Sequence, residues 1–279
     1  MRASFAKMHG LGNDFVVLDT REQPLPPMTP AIVRALADRY TGIGCDQLVL
    51  LAPSARADLR MRIYNADGDE VAACGNATRA VALRHARANG ANGPIGREVR
   101  IETASGILAA RATDAGIAVD MGRPRLEWEA IPIAYALDTL SLPVGWEELE
   151  QPCAVNLGNP HAVFFVPDCD AVPLARLGPQ IECDPLFPER VNVNVATVES
   201  RRHIRLRVWE RGAGLTRACG TGACATVVAA IRRGLTERAV EVELPGGTLA
   251  IEWGEDGRVT MTGPAAESYR GTFDWGDFA

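Results

Sequence analysis

Apolar and polar residues alternate through Arg60–Asn65 and again through His203–Trp209, the period of a half-buried strand. Phe15–Leu18 and Leu48–Leu51 read as short apolar strands, and further strand patterns lie at Val99–Thr103, Ile107–Ala112 and Gly116–Met121. Later in the chain the same reading gives Ala154–Leu157, Ala162–Val166, Val191–Val198, Val240–Leu244, Thr248–Trp253 and Arg258–Thr262. Other segments take helical spacing. Thr29-Pro30 is a suitable N-cap and first-turn pair for Ile32, Val33, Leu36, Ala37 and Tyr40, with Gly42 expected at C′. Val172-Pro173 opens a poorer helix over residues 174–183. A helix runs from Cys74 to Asn89 and stops at Gly90, its first face being Ala and Val; another opens at Cys219 and ends at Gly234. Nothing from Gly220 to Ile231 carries a charge, so that helix must be enclosed on every side.

The elements repeat. LRMRIYN at Leu59–Asn65 aligns with IRLRVWE at Ile204–Glu210, and each is followed by Ala-Cys-Gly, giving Cys74 and Cys219 an offset of 145 (219 − 74). Leu11-Gly-Asn13 recurs as Leu157-Gly-Asn159 at 146 (157 − 11), and Gly106 and Gly122 find counterparts in Gly247 and Gly263 at 141 (247 − 106). Chance explains one such match but not several in register, so the chain reads as two copies of one unit. The expected architecture is α/β (α+β): two pseudo-symmetric halves, each a mixed, largely antiparallel sheet wrapped around a central helix. The expected boundaries are 1–122 for the half carrying Cys74 and 123–265 for the half carrying Cys219, with the tail 266–279 packing back onto the first half.

Composition narrows the class. The chain has 279 residues, 47% of them hydrophobic, enough for a sizeable core. A net charge of −6 without blocks of like charge leaves no footprint for nucleic acid or an anionic membrane. The opening MRASFAKMHGLGNDF has no apolar signal region, and a cytoplasmic protein is expected. Seven scattered cysteines do not make a disulfide framework. Cys45, Cys153, Cys169, Cys183 and Cys224 read as small inert hydrophobes. Cys219 and Cys224 lack the spacing and second pair of a zinc site, so no metal is expected.

Cys74 and Cys219 are different because each stands at a helix start, where the helix dipole favours thiolate. If both helix N-termini face one cleft, the two sulfurs approach a ligand from opposite sides. A base on one face and an acid on the other invert a stereocentre, which is the chemistry of racemisation or epimerisation. Near-attack distances of about 3–3.5 Å on each side then place the sulfurs roughly 6–7 Å apart. Lys7, the single lysine, has no pyridoxal-phosphate setting, so the carbanion must be stabilised by the protein. Helix-start N–H groups at Gly75-Asn76 and Gly220-Thr221 suit the α-carboxylate, and Glu210 and Arg211 suit an amine and a carboxylate. Asn13 alone reads as a turn residue, with Gly10 and Gly12 letting the backbone reverse; His161 beside Asn159 either satisfies a buried strand or tunes a thiol.

At these residues the chain resembles the diaminopimelate epimerase family, cofactor-independent enzymes that interconvert LL- and meso-2,6-diaminopimelate in bacterial lysine and peptidoglycan synthesis. The resemblance spans nearly the whole chain. It rests on GLGNDF at 10–15, DQ at 46–47, NADG from 65, CGN at 74–76, GNPH at 158–161, ERVNV at 189–193 and ERGAGLTRACGTGA at 210–223. It implies Cys74 and Cys219 as the acid/base pair. It further implies substrate contacts from Asn13, Gln47, Asn65, Gly75, Asn76, Asn159, Asn192, Glu210, Arg211, Gly220 and Thr221, with His161 and Glu210 adjusting the thiols. Asn65, Asn192 and Arg211 are assigned to the distal L-centre. A small-molecule substrate, a homodimer, and no cofactor or metal are implied as well. Ala77-Thr78 and Ala72-Ala73 depart from the family's usual residues. The alternatives weighed are a proline or hydroxyproline racemase and a dithiol redox sensor; the related phenazine-biosynthesis isomerase, with a carboxylate in place of the thiols, is disfavoured by the two cysteines.

Overall fold

The computed structural model describes residues 1–71, 74–88 and 97–278. Ala72-Ala73, Asn89 and Gly90, with the expected helix end there, lie outside the described residues. Two compact units are present, Met1–Val119 with Gly263–Ala279, and Asp120–Thr262.

In the first unit, strand Arg2–Gly10 pairs antiparallel with Asn13–Asp19, which runs parallel to Gln47–Ala52. Gln47–Ala52 then pairs antiparallel with Leu59–Asn65, and that strand runs parallel to Glu98–Thr103, which turns back into Gly106–Thr113. Two parallel neighbours cannot be joined by a hairpin, so each parallel pair needs a crossover. Helix α1 (Pro30–Ala37) supplies the first and helix α2 (Gly75–Ala88) the second. The C-terminal strand Ala266–Asp274 pairs antiparallel with Arg2–Gly10.

The second unit repeats the order of pairings. Cys153–Asn156 is antiparallel to Pro160–Phe165, which is parallel to Asn192–Ser200 across helix α3 (Leu174–Glu182). His203–Glu210 follows antiparallel, then runs parallel to Ala239–Leu244 across helix α4 (Gly220–Arg232). Gly247–Trp253 and Val259–Gly263 complete the run of antiparallel neighbours. This is the mixed, largely antiparallel, twice-repeated α/β architecture expected from the residue pattern.

Burial shows which strands are enclosed. Strands Asn13–Asp19 and Gln47–Ala52 are covered on both faces: Val16, Leu18, Leu48 and Leu50 pack with Ile32, Val33 and Leu36 of α1, while Phe15, Val17, Val49 and Leu51 are buried on the opposite face. Their continuous apolar runs are the signature of such strands. Each of these side chains contributes roughly 1.5–3 kcal/mol by leaving water. Helix α4 packs against five strands of its own unit, and Gly220 and Gly222–Ala230 are buried, as its missing charges require. Helix α2 is enclosed through Ala82, but its buried stretch includes Arg79 as well as Ala and Val.

Four sequence expectations need correction. Helix α1 stops at Ala37 because the Asp38 carboxylate accepts from the backbone N–H groups of Tyr40 and Thr41 at 2.8 and 2.6 Å, turning the chain out of the helix. Tyr40 is therefore 97% exposed rather than on the buried face. Gly42 is not the stop signal; it packs onto the finished helix end, where a Cβ would meet the Ala35 oxygen at 2.1 Å. In the first hairpin Leu11 and Gly12, not Gly10, take the positive φ values of 56° and 86°. Cys183, expected to be buried, is exposed at the end of α3. No helix among the described residues is long and apolar enough to cross a membrane.

Candidate functional site

In the first unit Cys74 immediately precedes α2. Its carbonyl accepts from the Thr78 N–H and from Thr78 Oγ1, both at 2.9 Å, so the cysteine is held at the first turn by the helix it begins. Asn13, at the start of its strand, brings Oδ1 to 3.9 Å from Cys74 Sγ and accepts from Asn76 Nδ2 at 3.1 Å. Three residues expected in one site, Cys74, Asn13 and Asn76, are thus together. The second carboxamide pair is fixed by strand register: Gln47 stands opposite Asn65, and Gln47 Nε2 donates to Asn65 Oδ1 at 2.9 Å. Gln47 Oε1 is buried without a hydrogen-bond partner among the described residues.

Behind these amides lies a charged cluster that holds the loop. Asp14 accepts from Arg39 at 2.7 Å and pairs with Lys7 at 2.5 Å, while Arg39 also reaches Asp46 at 2.7 Å. Burial alone would push the Asp14 carboxyl up, but Arg39 and Lys7 outweigh it and hold it well below the usual carboxylate range. The only lysine of the chain is therefore occupied in structure, donating also to the Gly44 carbonyl.

In the second unit Cys219 is the N-cap of α4, with extended backbone (φ −119°, ψ 108°), and its sulfur accepts from the Gly222 N–H at 3.4 Å. Thr221 Oγ1 lies 3.5 Å from the same sulfur. Burial and then the charge of Glu210 push the thiol well above its ordinary range, and these outweigh the hydrogen bonds from Thr221 and Gly222. Glu210 also accepts from Thr216 Oγ1 at 2.5 Å. The next residue, Arg211, is anchored through its backbone N–H to Asn192 Oδ1 at 2.9 Å, and its guanidinium donates to the Glu189 carbonyl at 2.7 Å. Asn192 in turn donates to the Pro160 carbonyl at 2.8 Å.

His161 is completely buried between Asn194, 3.1 Å from Nδ1, and Asn159, 3.0 Å from Nε2. Asn194 offers an N–H, so Nδ1 accepts and Nε2 carries the hydrogen toward the Asn159 oxygen. Desolvation lowers the imidazole to about 3, despite the Asn194 hydrogen bond, and it stays neutral. His161 thus satisfies the interior of a buried strand and bonds Asn159; its two ring nitrogens are taken by these carboxamides.

The sequence reading did not single out Arg79, Asn194 or Thr216, and it named Asp46 only within the DQ motif. Two of them left a signal. Asn194 is two residues beyond Asn192 in a strand, so both point to one face. Arg79 is the sole charge in the enclosed first half of α2. Of the remaining cysteines, Cys45 is raised to about 11 by burial, as an inert core thiol should be. Among the described residues, Asp168, Cys169 and Asp170 form the one group whose ligand-type atoms lie within 4.8 Å of one another. Arg205 spans it, pairing with Asp168 at 3.2 Å and with Asp170, so the carboxylates already have their cation.

Comparison with known proteins gives the chain its relatives. The family described as "Diaminopimelate epimerase" matches residues 5–127 and 153–267. The chain is 65% identical to "Diaminopimelate epimerase" of Erythrobacter litoralis (strain HTCC2594) and 55% identical to that of Zymomonas mobilis subsp. mobilis (strain ATCC 31821 / ZM4 / CP4), in both cases over 100% of each chain. Among solved structures, a hydroxyproline epimerase from Agrobacterium vitis aligns with a TM-score of 0.70 at 17% identity, covering 98% of this chain and 91% of that one. A PhzF-family phenazine biosynthesis protein from Bacillus anthracis aligns with 0.67 at 16%, covering 98% and 99%. These distant structures share the fold; the close relatives share the sequence from end to end, and the chain belongs to the diaminopimelate epimerase family of isomerases.

Proposed function

We propose that the protein interconverts LL- and meso-2,6-diaminopimelate without a cofactor, as a cytoplasmic homodimer serving lysine and peptidoglycan synthesis. Cys74 and Cys219 act on opposite faces of one α-carbon. In one direction the Cys219 thiolate takes the α-proton, and the C–H electron pair stays on the substrate. The Cys74 thiol then gives its proton to that carbon from the other face, leaving a thiolate. Thiol and thiolate have exchanged places, no electron is gained or lost, and the reverse reaction runs the same steps backwards.

The observation that carries this reading is the matched placement of a cysteine at the head of each enclosed helix, with the Asn13 carboxamide beside Cys74 and the Thr221 hydroxyl beside Cys219. Helix-start N–H groups of Gly75, Asn76, Gly220 and Thr221 suit the α-carboxylate and the charge that spreads onto it as the proton leaves. The high affinity of buried Cys219 for a proton makes its thiolate a strong base once formed, and Glu210, hydrogen-bonded to that thiol, is suited to relieve it of the proton. Asn13, Gln47 and Asn159 hold the reacting end of the substrate, and Asn65, Asn192 and Arg211 its distal L-centre. The test is deuterium incorporation at an α-carbon of diaminopimelate in D₂O without added cofactor. Exchange is expected with the native chain and is abolished in Cys74→Ala and Cys219→Ala. Absence of exchange with diaminopimelate, or exchange with proline or 4-hydroxyproline instead, overturns the assignment.

A further inference from the structure

Asn13 and Asn76 face each other beside Cys74, and a carboxamide can present either its oxygen or its nitrogen. What lies at the two ends of this pair removes the choice. Arg79 is fully buried in α2, and its Nη2 donates to Asn76 Oδ1 at 2.8 Å. A guanidinium has no acceptor, so Asn76 must offer it oxygen and turn nitrogen toward Asn13. Asn13 then accepts at Oδ1 and donates from Nδ2 to Asp46 Oδ2 at 3.0 Å, where an ionised carboxylate only accepts. A cation at one end and an anion at the other make the whole row of hydrogen bonds run one way. The backbone makes room for it: a Cβ on Gly10 would meet Arg79 Nη2 at 3.1 Å and the Asn76 Cβ at 3.5 Å.

We propose that Arg79 and Asp46 are positioning residues that fix the polarity of the Asn76–Asn13 pair, so that Asn13 turns oxygen rather than nitrogen to the Cys74 sulfur. An acceptor beside the sulfur binds the thiol and not the thiolate, which counteracts the helix N-terminus and keeps Cys74 loaded with a proton. The value of this for turnover rests on the proposed role of Cys74 as proton donor; the polarity itself does not.

The experiment reads Cys74 directly in the full-length, substrate-free protein. Iodoacetamide alkylation is followed across pH with peptide mass spectrometry, and Cys219 in the same digest is the internal reference. In Arg79→Met the amides are released and the midpoint of Cys74 alkylation moves down by about half a pH unit or more. Loss of a nearby positive charge alone would move it up, so the sign separates the two explanations. Arg79→Lys, which keeps a donor and the charge, restores the native midpoint. Should Arg79→Met not fold, Asp46 provides the same test, since its side chain is 42% exposed. Asp46→Ala removes charge and acceptor, Asp46→Asn removes the charge but keeps an oxygen, and the alanine variant is expected to show the lower midpoint. An unchanged or raised midpoint in Arg79→Met, or identical midpoints in the two Asp46 variants, overturns the proposal. If deuterium exchange fails while these shifts appear, the substrate assignment falls and the positioning role stands; exchange without the shifts gives the converse.

Discussion

Asn194 Nδ2 lies 3.1 Å from His161 Nδ1, with both side chains wholly removed from solvent. The pair locks a neutral imidazole into the tautomer that serves Asn159, and the arrangement has a cost on the acid side of neutrality.

Unfolded His161 takes up a proton near its ordinary value of 6.5, whereas the folded residue resists protonation down to about 3. Its contribution to stability is complete above the unfolded value and falls as pH drops through the interval between the two. The slope is at most about 1.4 kcal/mol per pH unit. Urea unfolding of the native chain and of His161→Gln between pH 4 and pH 7 checks this. The native curve should lose stability faster on acidification; parallel curves would refute it. The lowered carboxyls of Asp14 and Asp19 act in the same direction, from about a unit above their unfolded value of 3.8 downward, and are common to both curves.

Gly222 has no room for a side chain. A Cβ there would meet Asn194 Oδ1 at 2.6 Å and Cys219 Sγ at 3.2 Å. Gly222→Ala is expected to cost about 1–3 kcal/mol from overpacking. Displacing the thiol should lower turnover by about a hundredfold, since errors near 1 Å in a reacting group have effects of that size. Thermal denaturation and the exchange assay measure the two effects, and a variant with native turnover would show that the sulfur is not held by this contact.

Burial, and after it the charge of Glu210, push the Cys219 thiol well above its ordinary range. Glu210→Gln removes the negative neighbour, so the pH midpoint of Cys219 alkylation should move down and labelling at pH 8 should accelerate. An upward shift would mean that Glu210 reaches the thiol by some route other than its charge.

Thr29 caps α1 by accepting from the Ile32 N–H at 3.3 Å. Thr29→Ala should cost about 1 kcal/mol. That corresponds to a fall in Tm of about 2–4 °C. Exchange activity should be untouched, because the helix lies outside the row of amides and thiols. Loss of activity without loss of stability would contradict this placement of α1.

Much of this molecule is legible in its residues because the repeat and the helix starts are local signals. Ala-Cys-Gly after a strand sets Cys74 and Cys219 at helix heads, and the uncharged run from Gly220 to Ile231 declares its own enclosure. What escaped depends on hydrogen-bond partners that hydrophobic spacing does not reveal. Arg79 looks like a surface charge until Asn76, Asn13 and Gly10 are seen around it, and Tyr40 fits a helical face until Asp38 is seen ending the helix. The strand Ala266–Asp274, with exposed and half-buried residues mixed, has too weak an alternation to be read as one; its pairing to Arg2–Gly10 supplies the order that its own sequence lacks.

That last pairing sets Arg2 opposite Asp274, a sequence separation of 272 (274 − 2). On a ribosome the strand Arg2–Gly10 meets Asn13–Asp19 at once but must wait for the whole second unit before its other neighbour, Ala266–Asp274, exists. Of the two units, the one that holds Arg2–Gly10 is therefore completed last, and during that interval one unpaired edge of that strand is open to any other nascent chain.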